Sequence, residues 1–192
     1  MKKTFGKTEH GMERRYVTPD HLTSEDIKEL RAALDMTQSQ LAVFLRVSKR
    51  TVERWETSKE PITGAIVTLA DILLRNPEME EKLRLKDNRL KLRLKYFYKN
   101  MLCTVIDVDE LQRKVEIKNY VKNPMLRAFG VNNEPDYDDY EQFLESRCFP
   151  RTRDKMKLEL KRLDIPFYDP ILIIEKTLGR MEEDEFYIKI ER

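Results

Sequence analysis

The stretch from Thr37 to Glu56 constrains this chain more than any other, because its spacing is satisfied by two short helices crossing at a tight turn. Thr37 and Gln40 stand in the T-x-x-Q relation of a capping box, where hydroxyl and amide satisfy the unpaired N–H groups of a helix start. Met36 and Leu41 sit where a hydrophobic staple closes over that start. Ser48 is the expected cap of the second helix, with Val47 and Val52 as the matching staple. Leu41, Ala42, Leu45, Val52 and Trp55 fall inward at helical spacing and supply the apolar surface that holds crossed helices together, so the lone tryptophan belongs to the core. Lys49, Arg50, Glu53, Arg54 and Thr57 share the outward face of the second helix. A cationic face presented this way is the geometry that meets a DNA major groove. The alternative is a merely solvated helix face.

From Leu22 to Pro77 the pattern resembles the helix-turn-helix of the Xre (Cro-type) repressor family, in the version carried by MqsA- and HigA-type antitoxins. The matching positions are Gln38 at the helix start, Ala42 at the small crossing position, Leu45, Val47, Val52, the Arg54-Trp55-Glu56 triplet and the segment from Pro61 to Leu74. The resemblance implies an all-α, lambda-repressor-like domain. It also implies that Lys49, Arg50 and Arg54 reach base edges, while Gln38, Thr51 and Thr57, with Ser48 beside them, hold the DNA backbone. The chemistry agrees: an arginine fork can bind guanine O6 and N7 together, which is worth about 1–3 kcal/mol of discrimination per pair. Phosphate contacts position without specifying. One departure stands in the turn, where the family usually has glycine and this chain has Arg46. A left-handed conformation there costs about 1 kcal/mol for a residue with a Cβ.

At 192 residues and 40% hydrophobic composition, the chain has room for one large domain or two small ones. A net charge of +2 conceals an asymmetry: residues 1–100 carry 21 Lys and Arg against 15 Asp and Glu, whereas residues 101–192 carry 16 against 20. A basic front half suits attraction to phosphate, and an acidic back half does not suit the same duplex. No run approaches the roughly 18 apolar residues of a spanning helix, and the first residues lack the apolar core of a secretory signal. The expectation is a cytoplasmic protein without a membrane partner. Cys103 and Cys148 are too few and too far apart for a disulfide framework or a zinc site, so each is expected to be a reduced, buried or half-buried thiol. No cofactor is expected.

Residues 1–20, polar and rich in Lys and Arg, are expected to form a flexible basic arm, and residues 21–77 the helix-turn-helix domain. Within the latter, Leu22-Thr23 opens a first helix with Ile27, Leu30 and Leu34 on one face. Thr63 starts a last one with Ile66, Leu69, Ala70 and Leu73 inward, and Asn76-Pro77 stops it. Residues 78–88 read as a charged helical connector carrying Met79 and Leu83, a candidate dimer contact. From residue 89 to the end an α+β domain with an antiparallel sheet is expected. Leu90, Leu92, Leu94, Tyr96 and Tyr98 alternate with Lys91, Arg93 and Lys95, giving a strand. Turns at Lys99-Asn100 and Asp109-Glu110 then separate strands over residues 101–107 and 114–121. Helices over 137–147, 151–163 and 170–178 cover the sheet, and residues 185–190 return as a last strand.

In this second part the runs Arg127 to Val131, Phe143 to Arg153 and Gly179 to Asp184 are similar to small uncharacterised proteins of Firmicutes mobile elements, some of them encoded beside HipA-type kinases. That resemblance implies a module and no mechanism. Phe186-Tyr187 depart from its more usual tryptophan, with a consequence for packing. An enzyme is not expected, since His10 and His21, the only histidines, both precede the domain. Asp136, Asp138, Asp139 and Glu141 could suggest a metal or nuclease cluster, but acidic first turns answer to the helix dipole. Gly130 and Gly179 read as turns or helix ends. Arg147, Arg151 and Arg153 are the candidates for gripping an acidic partner surface or nucleic acid, the commoner fate of such arginines being salt bridges within the fold.

Taken together, these features lead us to expect a sequence-specific regulator that binds double-stranded DNA, acting as an autorepressor with a C-terminal protein-binding domain. Homodimerisation on an inverted repeat follows from the few base pairs that one recognition helix can read. The alternative is an inhibitor, an antitoxin or anti-CRISPR protein, whose C-terminal domain blocks a toxin, kinase or CRISPR effector while the helix-turn-helix regulates the operon.

Overall fold

A capping box fixes the entry to the first helix: Thr23 accepts from the amide of Asp26, and the Asp26 carboxylate accepts in return from the Thr23 amide at 2.6 Å. These hydrogen bonds from Thr23 hold the Asp26 carboxyl below the usual carboxylate range. The computed structural model describes residues 16–192 except 86, 88, 89 and 153–155. Most of the expected basic arm, residues 1–15, thus lies outside the described residues, as does Arg153.

The first unit runs to Arg84 and contains α1 (Ser24–Ala33), α2 (Gln38–Leu45), α3 (Lys49–Thr57), α4 (Ala65–Arg75) and α5 (Glu78–Leu83). Its core gathers Ile27, Leu30, Leu41, Ala42, Val52, Ala70 and Leu73, with Trp55 half-buried against them. Leu22 and Ile62 exchange backbone hydrogen bonds at 2.8 Å in both directions, which ties the chain entering α1 to the loop before α4. Of the inward stripe expected in α4, Ala70 and Leu73 are buried and Ile66 packs on the core, whereas Leu69 is exposed and Val67 is buried in its place. The run from residue 65 to 74 is apolar along both stripes, so spacing alone does not choose between them. The helix expected to be a connector, α5, packs on α4 and belongs to this unit, with Glu80 buried and paired to Arg84 at 2.6 Å.

The second unit, from Leu85, is α+β. It comprises β1 (Leu92–Tyr98), β2 (Met101–Asp109), β3 (Lys114–Asn119), a 3-10 turn (Pro124–Leu126), α6 (Tyr137–Ser146), α7 (Met156–Leu163), α8 (Pro170–Thr177) and β4 (Phe186–Glu191). The sheet order is β3-β2-β1-β4, every pair antiparallel. Lys99, at φ 52°, turns β1 into β2. Leu94 lies opposite Ile106 on one side and Ile190 on the other, which fixes which face meets the helices. On that face Leu92, Leu94, Tyr96, Ile106, Val108 and Ile188 pack against Tyr140, Phe143 and Leu144 of α6, Leu160 of α7, and Ile173 and Ile174 of α8. Of the helix expected over 151–163, the described residues form α7 from Met156 on, and Arg151 and Thr152 lie in a turn. Cys103 and Cys148 are buried free thiols. Among the described residues no helix is long and apolar enough to cross a membrane.

Candidate nucleic-acid interface

The turn between α2 and α3 is built from local hydrogen bonds. Thr37 starts α2 with a complete capping box, its amide donating to Gln40 Oε1 at 2.8 Å and its hydroxyl accepting from the Gln40 amide at 3.2 Å. Arg46 ends α2 in the left-handed region, at φ 58° and ψ 38°, while the amide of Val47 reaches back to the carbonyl of Ala42 at 3.0 Å. This is the conformation for which glycine is the usual choice, adopted here by a residue with a Cβ. Two residues later Ser48 caps α3, its hydroxyl accepting from the amide of Thr51 at 3.1 Å and lying 2.8 Å from the Thr51 hydroxyl.

The angle between the helices is held by a polar network as well as by Leu41, Ala42 and Val52. Glu56 of α3, only 6% exposed, accepts from Arg31 Nε of α1 at 2.7 Å and from Gln38 Nε2 of α2 at 2.8 Å. Arg31 also donates to the carbonyl of Met36 at 3.2 Å. One carboxylate thereby joins three helices. Burial pushes the Glu56 carboxyl up, but the hydrogen bonds from Arg31 and Gln38 together with the Arg31 charge outweigh it, leaving its pKa below the usual range. Neither Arg31 nor Glu56 was assigned a role from sequence, although Glu56 sits in the matched triplet.

The outward face of α3 presents Lys49, Arg50 and Arg54, all exposed. Lys49 pairs with Glu53 at 3.2 Å along the helix. Arg50 and Arg54 carry no ion pair among the described residues, so their guanidinium forks are available. Thr57 turns its hydroxyl onto the carbonyls of Glu53 and Arg54, at 2.9 and 3.3 Å. Gln38 occupies the first position of α2, where a backbone N–H has no partner within the helix. Its side-chain amide is engaged by Glu56.

Residues 27–73, from the fourth residue of α1 to within α4, match the helix-turn-helix family. The first unit is a DNA-binding domain of the Xre-like kind found in transcription regulators. No curated protein matches the chain.

The arginines expected to grip a partner fare differently. Arg147 is buried and is an internal staple. It forms a bidentate pair with Asp184 at 2.6 and 3.0 Å, and donates to the carbonyls of Gly179 at 2.9 Å and Phe186 at 3.3 Å. The rings of Tyr96 and Phe186 lie beside it. Four of its five N–H donors are thus engaged within the unit, the salt bridge inside the fold that the sequence reading gave as the commoner fate of such arginines. Arg151 is exposed, pairs with Glu145 at 3.0 Å and lies over the Tyr168 ring. Asp136 caps α6 in a box with Asp139, which accounts for half of the acidic cluster.

Proposed function

We propose that this chain is a sequence-specific, double-stranded-DNA-binding transcription regulator that represses its own operon as a homodimer on an inverted repeat, and that its second unit binds a protein partner. The observation that carries the DNA reading is the pair of exposed, unpaired guanidiniums of Arg50 and Arg54 on a helix whose angle is fixed by the Glu56 network. In this reading Arg50, Arg54 and Lys49 contact base edges. The backbone N–H of Gln38, at the positive end of α2, meets phosphate, as do Ser48 and Thr51 beside the start of α3. Thr57 meets phosphate only after its hydroxyl leaves its own helix. Two such helices must be paired about 34 Å apart to read enough sequence, which is the reason for a dimer. Replacing Arg50 and Arg54 by Ala should abolish footprinting on an inverted repeat upstream of the gene while thermal unfolding stays near wild type. An unchanged footprint rejects these readers.

A second reading is favoured by the separate hydrophobic core of the second unit. Here that unit is the effector, an antitoxin or anti-CRISPR inhibitor, and DNA binding only controls expression. Full-length R50A/R54A protein that still blocks its partner while failing to footprint would establish it.

A further inference from the structure

Three cationic residues among those described take the left-handed conformation: Arg46 at φ 58°, Lys99 at φ 52° and Arg113 at φ 49°. Two of them use their charge inside the fold. Lys99 pairs with Glu185 at 2.7 Å, and Arg113 pairs with Asp138 at 2.5 Å while lying over the Tyr137 ring. Arg46 is exposed and has no ion pair among the described residues. Glycine would take the same turn without the steric cost of a Cβ. The structural benefit open to a cation here is the carbonyl end of α2, whose partial negative charge favours it. At an exposed site that benefit is of the order of the steric cost, so it leaves no net gain over glycine.

The surroundings of Arg46 favour an anion. From Met36 to Val52 the chain holds no Asp or Glu and three cations, Arg46, Lys49 and Arg50. The next carboxylate, that of Glu53, is paired with Lys49. Arg46 ends α2 two residues before Ser48 caps α3. In a helix-turn-helix the first helix crosses the DNA backbone and the second lies in the major groove, so the residue that ends the first stands between the two. A helix fills a groove about 12 Å wide, which leaves the turn leading into it beside the phosphates of the groove wall.

We infer that Arg46 is a phosphate-positioning residue, its guanidinium holding the DNA backbone at the edge of the groove that α3 enters. The inference rests on the reading of α3 as the recognition helix and adds a contact at the position where the family usually has glycine. A planar guanidinium can give two parallel N–H groups to one phosphate, so a single side chain fixes register as well as attracting charge. Its role differs from that of Arg50 and Arg54: phosphate contacts orient the protein and carry no sequence information.

The test is the affinity of the full chain for the footprinted duplex, measured over a series of salt concentrations for wild type, Arg46→Gly, Arg46→Asn and Arg46→Lys. Glycine and asparagine both accept the left-handed turn without the charge. Each should weaken binding by about three- to tenfold near 150 mM salt and reduce the slope of log affinity against log salt by about 0.9, with every base preference kept. Arg46→Lys should retain most of the slope. Wild-type affinity and slope in both Arg46→Gly and Arg46→Asn would overturn the inference. A loss confined to one base pair would overturn it as well, since Arg46 would then read sequence. So would a loss matched by a lower unfolding temperature in both variants, which would give the charge to α2 instead. The two claims fail separately: a wild-type footprint in R50A/R54A rejects the recognition helix, whereas wild-type binding by the Arg46 variants beside an abolished R50A/R54A footprint sinks this inference alone.

Discussion

Replacing Glu56 by Ala should damage both stability and DNA binding, although its carboxylate lies inside the three-helix network. The substitution removes two hydrogen bonds to a charged acceptor, at 2.7 and 2.8 Å. Each such bond contributes about 1.5–3 kcal/mol, and breaking a buried pair costs about 3–5 kcal/mol. Arg31 is 29% exposed and regains some hydration once unpaired. The discounted cost is therefore about 2–4 kcal/mol, to be read from denaturant unfolding of the first transition. Operator affinity should fall as well, because Glu56 is what joins α3 to both α1 and α2. Glu56→Gln should fall between Ala and wild type, since it keeps an acceptor but loses the charge. The pH dependence has a definite sign. The folded pKa of Glu56 is depressed, so its contribution is complete above the unfolded value, taken as 4.5, and is lost as pH falls through the lower folded value. Wild-type stability should therefore decline over that acid range more steeply than that of Glu56→Gln. A loss below about 0.5 kcal/mol in Glu56→Ala, the range of ordinary surface changes, would refute the view that this network sets the helix angle.

Further outcomes follow from the same geometry. Arg147→Met should destabilise the second unit by about 3–5 kcal/mol in denaturant unfolding, because it strands Asp184 and two carbonyls. Aspartate 184, which the arginine hydrogen bonds hold below the usual carboxylate range, should then titrate higher by NMR. Arg46→Gly should raise the unfolding stability by up to about 1 kcal/mol by relieving the left-handed turn, set against the added entropy of the unfolded chain. Burial pushes the Cys148 thiol up to about 12, so mass spectrometry should find it unalkylated by iodoacetamide at pH 8 in the folded protein and alkylated once unfolded.

What was legible in the sequence was local. Thr37 and Gln40 announce their own helix start, Ser48 announces the next, and the family resemblance implied the left-handed turn that Arg46 adopts. Alternation from Leu92 to Tyr98 likewise marks a strand, but not that Arg93 on its second face is buried as well, in a bidentate pair with Asp107 at 2.6 and 2.7 Å. Contacts across long separations were not legible: β4 pairs with β1, placing the last strand beside the first, and no spacing rule dictates that. The union of Arg31, Gln38 and Glu56 spans 25 and 18 residues, and each member alone looks like a surface side chain. Arg147 did carry a signal. It continues the stripe of Tyr140, Phe143 and Leu144 at helical spacing, so an arginine in line with buried apolar residues was the clue to an internal ion pair.

The most direct test of the central claim, that α3 reads base sequence, is an affinity scan of wild type and Arg54→Ala against operators in which each half-site base pair is substituted in turn. Wild type should lose about 1–3 kcal/mol at the guanine that Arg54 contacts, and the variant should lose its preference at that position alone. A variant that binds every operator more weakly by the same factor, with all wild-type preferences intact, would contradict the account, because Arg54 would then hold phosphate and specify nothing.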